Sequence, residues 1–221
     1  EDVEIVFQFG FTMNILGLES VDEVSCVART SVEAAYPLTS RRRNRESAWV
    51  ENVLEALDTP GEWVLNTQER KLYLWPTGDE PGDQILAPCL RELIRVEGDV
   101  DVEGPTDIPV RGLVFKDLSF TQGDRGVVQK DDAAIQHDWE MIDKDDALVR
   151  LRGAEECAVE NYKFFNSGAS AVRLDLHCQR NRVIGNEINH LGGAGIILIG
   201  YGPGTKDVNK QNEVVNNHIH H

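Results

Sequence analysis

The second half of the chain repeats itself, and the repeat leaves few folds open. Residues 161–172, 186–196 and 217–221 each begin with Asn and run into a short apolar segment, and the first two then pass through Gly into another strand-like run. Asn161, Asn186 and Asn217 stand 25 and 31 residues apart, and residues 113–123 read as an earlier copy with Asp117 in the Asn position. Periods of this size belong to stacked units, none of which can bury its apolar face alone. The repeated runs are strand-sized and no helical periodicity separates them, which disfavours leucine-rich and helical solenoids. A parallel β-helix fits, one coil per repeat, with neighbouring strands ~4.8 Å apart. Stacked coils would bring Asn161, Asn186 and Asn217 into a ladder, each side chain satisfying the backbone of the next turn. The longer second period implies a loop inserted within residues 200–211. Solenoids place such insertions on one face, often the binding face.

Elsewhere, short apolar or alternating runs recur at residues 3–9, 63–65, 71–75, 92–96, 113–120, 148–151 and 171–176, bounded by Gly, Asn and Asp. This is all-β patterning. Residues 21–35 and 50–56 are the stretches expected to include short helical turns. The first ~90 residues do not repeat, so the expected organisation is a β-rich inserted module over 1–88 and parallel β-helix coils over 89–221, incomplete at the C-terminus. The chain opens in strand-like sequence and stops inside a repeat, as a fragment of a longer protein would. Within the module, Arg41-Arg42-Arg43-Asn44-Arg45 reads as a solvated loop, and Trp49, Trp63 and Trp75 read as core.

Charge narrows the partners. With 38 acidic against 22 basic residues the formal charge is −16. That field disfavours nucleic acid and anionic membrane surfaces. No apolar run approaches the ~20 residues of a membrane span. The four cysteines, Cys26, Cys89, Cys157 and Cys178, form no CxxC pair and no zinc-site spacing. Cys157 and Cys178, one coil apart, are expected to lie near each other, as buried thiols or as a bridge.

Several phrases carry a resemblance: residues 49–63 followed by 71–76, Val172-Arg173-Leu174-Asp175-Leu176-His177, the Gly200-Tyr201-Gly202-Pro203-Gly204-Thr205-Lys206-Asp207 loop, and residues 216–221. Together they resemble bacterial right-handed parallel β-helix repeat proteins near glycoside hydrolase family 141. The resemblance covers nearly the whole chain. It implies a secreted or periplasmic protein acting on polysaccharide, with a β-rich insertion between helix coils and the helix resuming near residues 85–96.

The residues themselves supply candidates. As a strand, residues 172–177 send Val172, Leu174 and Leu176 inward and Arg173, Asp175 and His177 outward. A carboxylate flanked by donors is what a sugar groove needs; the alternative is a solvated face where Arg173 and Asp175 simply pair. Arg150 and Arg152 would extend the same face. The glycine-rich loop is neither a phosphate-binding nor a dinucleotide motif. It presents Tyr201 to stack on a sugar, with Lys206 and Asp207 beside it. Glycosidases use two carboxyl groups, ~5–5.5 Å apart when retaining and ~6.5–9.5 Å when inverting. Asp175 and Asp207 on adjacent coils are the expected pair, with Glu187 as the fallback partner. His218 and His220, two apart on one strand, are candidates for substrate contact or metal ligation, although no further ligand cluster accompanies them.

The leading expectation is a glycosidase that needs no cofactor and binds a poly- or oligosaccharide through Arg173, His177, Tyr201, Lys206, His218 and His220. A polysaccharide lyase is the first alternative, with calcium as its implied cofactor and Arg173 and Lys206 neutralising a uronate. A non-catalytic carbohydrate-binding or structural β-helix is the second, and burial of Asp175 in an ion pair would favour it.

Overall fold

The computed structural model describes residues 2–9, 12–34, 48–83, 85–126, 142–202 and 204–221. They fall into two compact units, one ending at Ile85 and the other comprising residues 86–126 and 142–221. The run Arg41–Arg45 lies outside the described residues. No α-helix occurs among them, and none is long and apolar enough to cross a membrane.

In the first unit, β1 (Glu4–Phe9), β2 (Thr12–Asp22), β3 (Val27–Thr30) and β4 (Ala48–Glu51) form an antiparallel sheet in the order β3-β2-β1-β4. β5 (Trp63–Asn66) and β6 (Lys71–Leu74) form a separate hairpin. Of the two helical expectations, residues 50–56 hold only a 3-10 turn at Leu54–Ala56. Residues 21–35 instead contain the β2–β3 turn, where Asp22 accepts from the Ser25 hydroxyl at 2.5 Å and from the Val24 N–H at 3.0 Å. That local carboxylate–backbone bonding competes with a helix. The tryptophans are not core either: Trp63 is 60% exposed, and Trp49 and Trp75 are also exposed. Strand alternation explains Trp63, because Val64 is the buried residue of β5 and its neighbours project to the opposite face.

The second unit is built from three parallel sheets. One has the order β17-β14-β11-β7, formed by β7 (Ile94–Glu97), β11 (Ala147–Glu155), β14 (Ser170–Gln179) and β17 (Ile196–Ile199). To it are added β8 (Val110–Arg111) on β11 and β18 (Asn209–Lys210) on β14. The second sheet stacks β9 (Val114–Lys116), β12 (Ala158–Glu160), β15 (Arg182–Ile184) and β19 (Glu213–Val215). The third stacks β10 (Ser119–Thr121), β13 (Lys163–Ser167), β16 (Glu187–Leu191) and β20 (His218–His220). The chain visits the three sheets in rotation, which makes this unit a parallel β-helix, the architecture the repeat implies. Right-handed is the hand such crossovers take.

In-register stacking lines up apolar side chains in columns: Val96, Leu151, Leu174 and Leu198; Phe115, Val159, Val183 and Val214; Phe120, Phe164, Ile188 and Ile219. The inner members of these columns are almost fully buried, and each buried aliphatic contributes about 1.5–3 kcal/mol.

Each corner is made by a left-handed residue, and these also stack. Asp117, Asn161, Gly185 and Asn216 have φ of 60, 56, 70 and 55°, and Glu156, Arg180 and Gln211 form a second such column. This conformation costs little for Gly, Asn and Asp. It also corrects the ladder. Asn161 occupies the corner column, one residue before the ladder, so the coil step there is 24 residues rather than 25. The ladder runs from Tyr162, whose N–H donates to Asn186 Oδ1 at 2.8 Å, to Asn186, whose N–H donates to Asn217 Oδ1 at 3.0 Å. A second ladder, not read from the repeat, joins Cys157, Asn181 and Asn212, each step 2.9 Å. Cys157 and Cys178 are both buried and free, with their thiols bonded to backbone carbonyls.

Candidate functional site

The site forms where the first sheet loses its register. β11 and β14 pair in step as far as Arg152 with Asp175, then resume with Ala154 opposite Cys178, so Gly153 faces both Leu176 and His177. Gly153 and Leu176 have φ of 63 and 56°. A bulge of this kind re-aims side chains and often borders functional sites. At the same corner the coils on either side carry insertions. β7 ends opposite Arg152 and β8 begins opposite Ala154, so residues 98–109 stand where β11 has only Gly153. β17 ends opposite Asp175 and β18 begins opposite Cys178, so residues 200–208 stand where β14 has only Leu176 and His177. Gly98 is required here: its N–H donates to Arg152 O at 2.8 Å, and a Cβ would run into the Gly153 carbonyl.

The alternation read from residues 172–177 holds, because Val172, Leu174 and Leu176 join the core. Arg150 and Arg152 pair in register with Arg173 and Asp175, so the four share the outer face. The expectation that this face is open does not hold. Arg173 and Asp175 are 0% exposed and His177 is 8% exposed. The covering material comes from outside the repeat. Asp175 accepts from the N–H groups of Asp143 and Lys144 at 3.0 and 3.2 Å, from Arg173 Nε at 2.9 Å and from Arg150 Nη2 at 3.1 Å. Arg173 also donates to Asp146 at 2.7 Å. Four donors on one carboxylate leave no room for a substrate atom. Asp175 therefore lies in a buried ion pair and not in an open groove.

Asp207 has the opposite fate. It is 79% exposed, with Lys210 3.7 Å away as its ion-pair partner. A sealed carboxylate and a solvated one do not open on a common groove. Glu187 lies on β16, in a different sheet, beside His218. His218 and His220 stack at 4.3 Å as expected for neighbours on one strand face, and His221 stacks on His190 at 4.9 Å. His190, His218 and His220 belong to the third sheet, and His221 follows its last strand, so none is brought to the bulge. No group of three or more His, Cys, Asp or Glu among the described residues is arranged to hold a metal ion.

The bulge does assemble His177, Tyr201 and Lys206, and adds residues that the repeat did not reveal. His177 Nδ1 lies 3.1 Å from Asp107 Oδ2 and its Nε2 lies 2.8 Å from Glu155 Oε1. Lys206 donates to Asp107 at 2.5 Å and to the Asp101 carbonyl at 2.7 Å, tying the two insertions together. Arg111 and Arg180 hold the far oxygen of Glu155. Next to this set Arg152 donates to both oxygens of Asp143, at 2.6 and 3.1 Å. Tyr201 is half-buried, and its hydroxyl is buried with no hydrogen-bond partner among the described residues.

Burial acts against the charged forms of Asp107 and Glu155. For Asp107 it is outweighed by bonds from Lys206 and the Asp101 N–H, and for Glu155 by bonds from His177 and Arg111; both end below the usual carboxylate range. The bond from Arg152 holds Asp143 low against its partial burial. Burial pushes the Tyr201 phenol up. At neutral pH this set therefore offers ionised acceptors, cationic donors and a neutral phenol. It contains no carboxyl held in the raised range that a general acid requires. Asp107 and Asp143 escaped the sequence reading because both lie outside the repeated coils. Their signals were two acidic runs, Asp99 to Asp107 and Asp143 to Asp146.

The fold class is thus a parallel β-helix with an antiparallel sheet unit, carrying one polar corner. No family model and no curated protein matches the chain. Among solved structures it is similar to a protein titled glycoside hydrolase, with a TM-score of 0.62 and 19% identity over 86% of this chain and 38% of that one. The chain thus spans little more than a third of that protein's length. At this identity the likeness is one of fold.

Proposed function

We propose that the protein is carbohydrate-active and, more finely, a glycosidase that binds a polysaccharide at the corner of the β17-β14-β11-β7 sheet where residues 98–109 and 200–208 meet. One observation carries the reading. At a single corner, segments from outside the repeat and side chains from several coils gather paired charges around a half-buried tyrosine. Such a few convergent polar groups on a rigid scaffold are what ligand sites are made of. The fold shared with a protein named as a glycoside hydrolase adds support without fixing the activity. On this reading Asp143, with 43% of its side chain exposed, is the reachable ionised carboxylate and serves as base or hydroxyl acceptor. The partner acid is to be sought outside the described set. A secreted or periplasmic location goes with a polymeric substrate.

The test is release of reducing ends from plant and algal polysaccharides by the protein carrying this chain. Asp143→Asn should lower the rate ~100-fold or more, with folding checked by circular dichroism, while Asp207→Asn leaves it unchanged. Cleavage unaffected by Asp143→Asn, or no cleavage of any polysaccharide, would overturn the glycosidase reading.

The non-catalytic alternative is favoured by one feature, the saturation of Asp175, and its signature would be saccharide binding without turnover. A lyase needs cations free to neutralise a uronate. Arg150, Arg152 and Lys206 each already face a carboxylate.

A further inference from the structure

We infer that the edge of the coil stack formed by β17, β18, β19 and β20 is a docking surface for one further parallel coil, a polypeptide segment with two Asn residues at ladder spacing. The inference stands apart from the carbohydrate reading. The three inward columns end on this edge at Leu198, Val214 and Ile219, which are 45, 44 and 52% exposed. Leu174, Val183 and Ile188, their neighbours one coil below, are buried. An open edge of strands with an apolar lining is a template for strand addition.

The two ladders define the coil that fits. Each Asn reaches back to the coil beneath it: Asn181 and Asn186 donate to the carbonyls of Ala154 and Val159 at 2.9 and 3.2 Å, and Asn212 and Asn217 to those of Cys178 and Val183 at 2.9 and 2.8 Å. Each Oδ1 accepts the N–H of the rung beneath. The backbone closes the same step, because the Glu213 and His218 N–H groups donate to the carbonyls of Asn181 and Asn186 at 2.8 Å. Asn212 and Asn217 repeat these rungs, yet among the described residues nothing accepts from their N–H groups or donates to their carbonyls. The missing partner is therefore a coil with the pattern Asn-x-Val-x-x-Asn-x-Ile, as in residues 181–188 and 212–219. A basic residue after its first Asn would meet Glu213, as Arg182 does at 3.5 Å. A second copy of this chain does not fit. Its first coil has Leu113 and Leu118 at the rung positions, and neither side chain accepts a hydrogen bond.

The experiment extends the full chain after His221 with a copy of residues 167–190. In register, the copied Asn181 and Asn186 fall over Asn212 and Asn217, and the copied Arg182 over Glu213. A second extension carries Asn181→Leu and Asn186→Leu in the copy. Amide hydrogen exchange is read by NMR in the parent and in both extended chains. The expected result is exchange at Asn212 and Asn217 at least ~10-fold slower with the Asn coil than in the parent or with the Leu coil. Exchange as fast as the parent's, or equal in the two extensions, overturns the docking surface. Concentration-dependent assembly of the parent in sedimentation, with the same two N–H groups protected, also overturns it by showing a second copy on this edge.

Discussion

Asp175→Asn separates a structural carboxylate from a catalytic one. The substitution keeps shape and one carbonyl oxygen but removes a charge that two buried guanidiniums share. Arg173 Nε and Arg150 Nη2 lie 2.9 and 3.1 Å from the same Asp175 oxygen, and all three residues are almost fully buried. Arg173 keeps Asp146, and Arg150 keeps Asp143 and Glu92, so the cations are not wholly stranded. Breaking one member of a buried ion cluster costs about 3–5 kcal/mol, and the remaining partners place this case near 3 kcal/mol. For a protein of this size each kcal/mol is roughly 2–4 °C, so the melting temperature should fall by roughly 6–12 °C. The measurement is urea and thermal unfolding followed by circular dichroism, with no saccharide present. A catalytic carboxylate behaves differently, since its removal tends to leave stability unchanged or raise it. A variant within about 0.5 kcal/mol of the parent would refute the structural assignment and return Asp175 to the list of reacting groups.

Three further outcomes follow from the same contacts. Asn186→Ala strips the acceptor from the Tyr162 N–H and the side-chain donor to the Val159 carbonyl and Asn217 Oδ1, leaving only the backbone N–H on the latter, and should cost about 3 kcal/mol in urea unfolding; an exposed-site value near zero would disprove the ladder's role. Asp107, Asp143 and Glu155 are held below their ordinary values of 3.8, 3.8 and 4.5, so their contribution is complete above those values and lost as pH falls through the lowered ones. The urea midpoint should accordingly be flat from about pH 7 to 5 and drop below about pH 4, and a midpoint that rises on acidification contradicts the pairing. Burial pushes the Cys178 thiol up to about 12 and raises Cys157 as well, whereas Cys26 and Cys89 are exposed; a thiol-specific reagent at pH 8 should therefore modify two cysteines in the native protein and four in urea.

The architecture was legible because the coil is a local rule repeated. Each turn needs a left-handed corner residue and an inward apolar strand, so Asn, Gly and Asp recur with Val, Leu, Ile and Phe at a fixed offset. The error of one residue at Asn161 shows the limit. Asn serves both as a corner residue and as a ladder rung, and only the backbone distinguishes Asn161 from Asn186. The outer face was legible in direction but not in exposure. Alternation placed Arg173, Asp175 and His177 correctly opposite the core. What buries them are residues 142–146 and 98–109, which follow no period and so leave no trace in the repeat. Trp63 fails for the same reason in reverse: a large aromatic side chain on a two-stranded hairpin has only one face to share, and Val64 takes the buried side.

The position of the polar corner follows from the economy of a β-helix. Three of its columns face inward and must stay apolar, and the corners must stay tight for the coils to stack. Extra residues can enter only where a coil turns, and they disturb neighbouring coils least when they enter at the same corner. Residues 98–109 and 200–208 do so on the coils flanking β11 and β14, and the bulge at Gly153 and His177 accommodates them. Two loops anchored on coils on either side of that pair then meet above it, and the Lys206–Asp107 bond joins them across His177. The groups so assembled come from sequence positions as distant as Asp107 and Lys206, on loops whose two ends are each held by strands of the stack. A surface placed there inherits the precision of the solenoid while its chemistry varies freely in the loops, which is why the charge pairs concentrate at this corner.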